Sequence, residues 1–153
     1  VTKRALQAKV EDNFSSKLVI DAFNREMSSV ILDTSIAVQT EIKKLISKYG
    51  PGEPSYPGEP PHKQTGNLGR SWGVQIKKQD VKRIKGGIKA SIGSNLDYAY
   101  YLEDGTIYME ARPYIEPTIE GAKIQKFIKK RIGKASKNVI KDIKQKVQEA
   151  VTA

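Results

Sequence analysis

The chain has 153 residues, with 27 Lys and Arg against 17 Asp and Glu, a net charge of +10, one histidine and no cysteine. That is one domain's worth of chain, and a domain of this size buries roughly 68–70% of its unfolded surface without a disulfide or metal staple. The lack of cysteine excludes disulfides, thiolate zinc sites, iron–sulfur clusters and thiol catalysis. A single histidine, His62, leaves little from which to build a His-ligated metal site or a serine triad. No apolar run approaches the ~18 residues of a membrane span, and no basic-then-apolar leader opens the sequence. A soluble, non-secreted protein is expected, with no catalytic residues, no metal, no cofactor and no membrane partner.

The charge is unevenly placed. Ten basic residues and one acid, Asp142, fall between Ala122 and Lys146, while the rest of the chain is close to neutral. The sequence describes a near-neutral domain carrying one basic element.

In chain order, residues 1–15 have no firm period and read as an arm. From Ser16 to about Lys48, Ile20, Phe23, Met27, Ile31, Thr34, Val38, Ile42, Leu45 and, just beyond, Tyr49 recur in steps of three and four. This predicts an α-helix of about 33 residues, roughly 50 Å long, with Asn13, Ser15 or Ser16 as N-cap. Its apolar stripe is expected to pack across the chain's own sheet. After Gly50 come PGEPSY and PGEPPH, carrying five of the seven prolines. Proline removes backbone donors, so an extended, exposed loop is predicted up to Asn67, with His62 solvated in it.

Trp72, Val74 and Ile76 alternate with polar residues and glycine, as do Ile88, Ala90 and Ile92. Both read as half-buried strands, with Trp72 in the core, joined by a long tip from Lys78 to Gly87 as an antiparallel hairpin. The tyrosine block from Asp97 to Thr106 allows one or two helical turns, and the chain then reads extended to Arg112. The last helix is predicted from Pro117 to near Val151 on the stripe Ile124, Ile128, Ile132, Ala135, Val139, Ile143 and Val147, with a bend near Gly133. The fold class expected is α+β: a small antiparallel β-sheet packed by two long α-helices, N-terminal and C-terminal. A single domain covers residues 1–153, divided into an arm (1–15), a long helix (16–49), a Pro/Gly loop (50–70), sheet and Tyr-rich turn (71–116) and the basic helix (117–151).

Four pieces in order, P-G-E-P-P-H-K-Q-T-G-N-L-G-R-S at 57–71, a strand pair ending at Ile92-Gly93-Ser94, Y-A-Y-Y-L-E-D-G-T at 98–106 and A-R-P-Y-I-E-P at 111–117, carry a resemblance. Together they resemble the tail-completion family of long-tailed bacteriophages, neck proteins of the Hong Kong coliphage type that are similar in role to tail terminators. The extra PGEP copy at Pro51 departs from that pattern. The resemblance implies a non-enzymatic virion protein made in the host bacterial cytoplasm. It would form a homo-oligomeric ring, expected as a hexamer, at the head–tail junction, beside neck, connector and tail-tube proteins. Residues 57–61 (Pro57, Gly58, Glu59, Pro60, Pro61), with Thr65, Gly66 and Leu68, would then lie at subunit or partner contacts. So would Tyr98, Tyr100, Tyr101, Glu103, Gly105 and Thr106, followed by Arg112 and Pro113.

The residues themselves leave alternatives open. The tyrosines suit an interface, because each joins a large apolar face to a polar tip, yet Tyr98 and Tyr101 could equally pack locally and Gly105 could serve only a turn. Glu103 and Arg112 are expected to pair. Asp97, Glu103 and Asp104 without histidine support make a poor metal or acid–base site. On the last helix, Lys126, Lys130, Lys134, Lys137 and Lys141 form one row, with Lys129 and Arg131 beside it. Like charges so arrayed call for an external anion, either DNA passing through a ring lumen or an acidic protein surface. The alternative function is a non-specific DNA-binding protein that uses this helix.

Overall fold

The computed structural model describes residues 16–48, 50, 52–72, 82–84 and 87–152. Helix α1 runs Ser16–Ile46, so that Ser16 is its first helical residue rather than its cap, and the other two expected caps, Asn13 and Ser15, lie outside the described residues. Lys43 and Lys44 close it, where cations suit the negative end of the helix dipole. A short helix α2 (Asn67–Ser71) follows the Pro/Gly loop. Strands β1 (Lys82–Ile84) and β2 (Gly87–Lys89), then helices α3 (Tyr98–Asp104), α4 (Glu116–Glu120) and α5 (Ala122–Thr152), complete the order.

Helices α1 and α5 run antiparallel, and their cross-links show the register. Arg25 pairs with Asp142, Glu26 accepts from Asn138 Nδ2 at 2.9 Å, Asp33 pairs with Arg131, and Glu41 accepts from Lys123 Nζ at 2.7 Å. Exposed ion pairs are each worth about 0–1 kcal/mol, so these set register more than they hold the helices together. Apolar burial does the holding. Ala22, Val30, Val38 and Ile46, each eight residues apart, are all buried. Eight residues turn a helix by about 80° beyond two full turns, so the buried face winds around α1 from the α5 seam at one end to the domain core at the other. The straight stripe expected from spacing is therefore only half right. Val38 and Ile42 are buried, but Ile20 and Phe23 are 55% and 52% exposed.

The sheet-centred packing is corrected. The fold is mostly helical, the two long helices pack on each other, and among the described residues the sheet is one antiparallel ribbon pairing Lys82 with Lys89, Arg83 with Ile88 and Ile84 with Gly87. Its first strand lies inside the segment read as a hairpin tip, where Lys82 and Arg83 hide any alternation of apolar residues. The second strand stops at Lys89, short of the expected Ile92. Trp72 is buried as expected, but it ends α2 rather than opening a strand; Val74 and Ile76 lie outside the described residues.

The core gathers Val38, Ile42 and Ile46 of α1, Leu68 and Trp72 around α2, Ala99 of α3, Tyr114, and Ile124 of α5. Trp72 and Tyr114 meet edge to face, with ring centroids 6.1 Å apart. The break in the C-terminal helix is also moved. α5 runs unbroken through Gly133, and the chain turns at Gly121, where ψ is 137° and a Cβ would stand 3.0 Å from the Pro117 carbonyl oxygen. Gly133 has open space around it, so Gly133→Ala should stabilise the protein by about 1 kcal/mol in urea unfolding. Gly105→Ala should do the opposite. Gly105 has φ 76°, and a Cβ there would lie 2.8 Å from the Met109 carbonyl oxygen and 2.9 Å from the Ala111 nitrogen. A cost of about 2 kcal/mol is expected.

Candidate assembly surface

The surface is built on α3. Its buried residue, Ala99, and the half-buried Leu102 anchor the helix to the core, which leaves Tyr98, Tyr100 and Tyr101 exposed. Tyr100 and Tyr101 meet edge on, 5.8 Å between centroids. The Asp104 carboxylate one turn along holds the pKa of the Tyr100 hydroxyl above the usual tyrosine value. Gly105 ends the helix, its N–H donating to the Tyr101 carbonyl at 2.9 Å.

A tight turn follows. Thr106 N donates to Met109 O at 2.7 Å, Met109 N returns the bond to Thr106 O at 3.3 Å, and Tyr108 N donates to Thr106 Oγ1 at 3.1 Å. Between these closing bonds Ile107 and Tyr108 stand 90% and 92% exposed. Two large apolar side chains so presented by a closed turn make it a candidate contact surface. Neither was among the expected site residues. The available signal was two bulky apolar residues directly after Gly105-Thr106, in a segment too short to bury them.

Glu103 is the structural centre of this end of the molecule. Its carboxylate accepts from the backbone N–H of Tyr114 (2.8 Å), Ile115 (2.9 Å) and Glu116 (3.0 Å), closing the start of α4. The expected Glu103–Arg112 pair is not formed. Arg112 instead donates through Nε and Nη2 to the Ser55 carbonyl at 3.3 and 3.2 Å, and its own N–H bonds Leu102 O at 2.7 Å. Both charges went to backbone groups that needed partners, which charge matching along a sequence does not reveal.

The Pro/Gly loop is folded back rather than extended. Gly58 N donates to Ala111 O at 2.9 Å, while His62 Nδ1 and Gln64 Nε2 both reach the Glu53 carbonyl, at 3.1 and 3.0 Å. His62 is thus half-buried and fixes the loop, instead of being solvated. Of the loop residues expected at contacts, Pro57, Gly58, Glu59 and Thr65 are exposed. Pro60 is half-buried, Pro61 is buried, and Leu68 belongs to the core. Gly66, with φ 78°, is the N-cap of α2. Thr106 is exposed beside the turn, and Arg112 and Pro113 are half-buried. Two grooves flank α3: one of about 520 Å³ floored by Ile46, Pro61, Leu68 and Leu102, and one of about 690 Å³ bordered by Leu96, Tyr100, Tyr101 and Ile119.

On α5, Lys126, Lys129, Lys130, Lys134, Lys137 and Lys141 are exposed, and no acid among the described residues pairs with them. Arg131 leaves that group. It points across the seam to Asp33 and also donates to Ser29 Oγ at 3.3 Å. No helix among the described residues is long and apolar enough to cross a membrane, and no group of three or more His, Cys, Asp or Glu among them could hold a metal ion.

Residues 8–105, well over half of the chain, match the family model described as "Bacteriophage HK97-gp10, putative tail-component". No curated protein and no solved structure matches.

Proposed function

Since the chain belongs to this HK97-gp10-like family of bacteriophage tail components, we propose that it is a non-enzymatic subunit of a homo-oligomeric ring at the head–tail junction, joining tail to head and leaving a passage for DNA. The observation that carries the reading is the Ile107-Tyr108 turn beside the α3 tyrosines. A monomer with no partner would expose several large apolar groups there to water, at about 25 cal/mol per Å² of apolar area left wet. A hexamer is the copy number proposed, and neck, connector and tail-tube proteins are the neighbours.

A deletion of the gene in its phage tests the role. Lysates should contain DNA-filled heads and finished tails that stay apart, and protein supplied in trans should restore joined particles. Infectious, fully joined virions without the protein would refute it.

The second reading, a non-specific DNA-binding protein, draws on the unpaired lysine row of α5. It requires duplex binding by the monomer with a steep salt dependence, flattened when Lys126, Lys130 and Lys134 are neutralised.

A further inference from the structure

The molecule has two oppositely charged ends, and only one of them is evident from total charge. Residues 97–120 hold six acids, Asp97, Glu103, Asp104, Glu110, Glu116 and Glu120, against Arg112 alone. Of these, Glu103 is occupied by the backbone at the start of α4, and the other five are exposed. They lie on or next to α3, the 106–109 turn and α4, which also carry the exposed Tyr100, Tyr101, Ile107 and Tyr108. Immediately afterwards begins α5, whose row of exposed lysines forms no ion pair with an acid among the described residues.

Within one molecule the cap reaches only the near end of the row. At 1.5 Å per residue, Lys126 and Lys130 lie about 6 and 12 Å along α5 from Ala122, but Lys134 and Lys141 lie about 18 and 28 Å away, more than two Debye lengths at physiological salt. Repulsion along the far part of the row and among the cap carboxylates is therefore relieved most by a partner outside the chain. Each surface supplies what the other lacks. The cap offers carboxylates for the ammonium groups, and tyrosine faces that attract cations by about 0.5–1 kcal/mol at exposed sites.

We infer that the lysine row of α5 docks on the acidic, tyrosine-bearing cap of a second copy of this chain, making a head-to-tail contact. This rests on the ring reading and deepens it. A contact between two different patches repeats from subunit to subunit and closes into a ring when the rotation allows. It also assigns the cationic face to protein rather than to DNA. Charge complementarity of this kind sets partner orientation and association rate, and it weakens as salt rises.

The test is a charge exchange on the full chain. One variant carries Lys130→Glu, Lys134→Glu and Lys137→Glu; the other carries Glu110→Lys, Glu116→Lys and Glu120→Lys. Self-association is followed by mass photometry and sedimentation between 50 and 300 mM NaCl, with circular dichroism to show that both variants keep the helical fold. Wild-type association should weaken about tenfold or more over that range. Each variant alone should stay monomeric, and an equimolar mixture should assemble, since every altered face then meets its opposite. Folded variants that each assemble like wild type, or that stay apart when mixed, would overturn the inference while leaving the ring reading standing. A wild type that never assembles, even with its virion neighbours, would overturn both. Tight duplex DNA binding by the monomer, abolished in the lysine variant, would overturn the inference in favour of DNA.

Discussion

Replacing Tyr114 by alanine is expected to cost about 3–5 kcal/mol in urea unfolding, the range for deleting a large aromatic from a packed core. Tyr114 is fully buried, meets Trp72 edge to face and belongs to a core drawn from α1, α2, α3 and α5. Its hydroxyl donates to the Ala99 carbonyl at 3.3 Å, and Thr118 Oγ1 returns to its own carbonyl at 2.7 Å. The residue thus links α3, α4 and the core, and its removal should loosen the tyrosine cap before the α1–α5 pair. Tyr114→Phe keeps the ring and should cost only about 1 kcal/mol.

The same residue gives the protein an alkaline limit. Burial pushes the Tyr114 hydroxyl up to about 12 from the ordinary value of 10. The fold favours the protonated form, so this contribution to stability is complete below pH 10 and is lost as pH rises towards 12. Urea midpoints should fall between pH 10 and 12 in the wild type, and Tyr114→Phe should flatten that fall.

Glu103→Ala is the second large effect, expected at about 3 kcal/mol, because a carboxylate serving three backbone donors is worth more than a neutral acceptor at one. Tyr114, Ile115 and Glu116 would lose their acceptor together. Glu103→Gln retains one carbonyl oxygen and should cost about half as much. Arg112→Ala, by contrast, should leave the α4 start intact, since Arg112 serves Ser55; a large coupling between Glu103 and Arg112 in a double-mutant cycle would contradict this assignment.

Much of the helical frame was legible in the residues themselves. The repeat from Ile20 to Leu45 marks α1, and the Ile124 to Val147 repeat marks α5, because 3.6-residue spacing is a local property. What each face would pack against was not legible, since the winding of the buried stripe depends on α5 lying across it. Asp33 and Arg131 are 98 residues apart, and no local pattern joins them. The ribbon at 82–89 was displaced for the opposite reason: its side chains are mostly charged and carry little periodicity. On the candidate surface the exposure of Tyr98, Tyr100 and Tyr101 follows from residue type and spacing. The roles of Glu103 and Arg112 do not, because their partners are backbone groups, and a backbone group looks the same at every position. The excess of acids between 97 and 120 is hidden in the total because the charge outside α5 averages close to zero.

The measurement that bears most directly on the account is imaging of the phage particle by electron microscopy, with a compact tag fused to the protein. A closed ring of tag density at the junction of head and tail, its subunits contacting through the α3 and Ile107-Tyr108 surface, is the predicted result. Tag density along the tail tube, at the distal tip, or absent from the particle would contradict it.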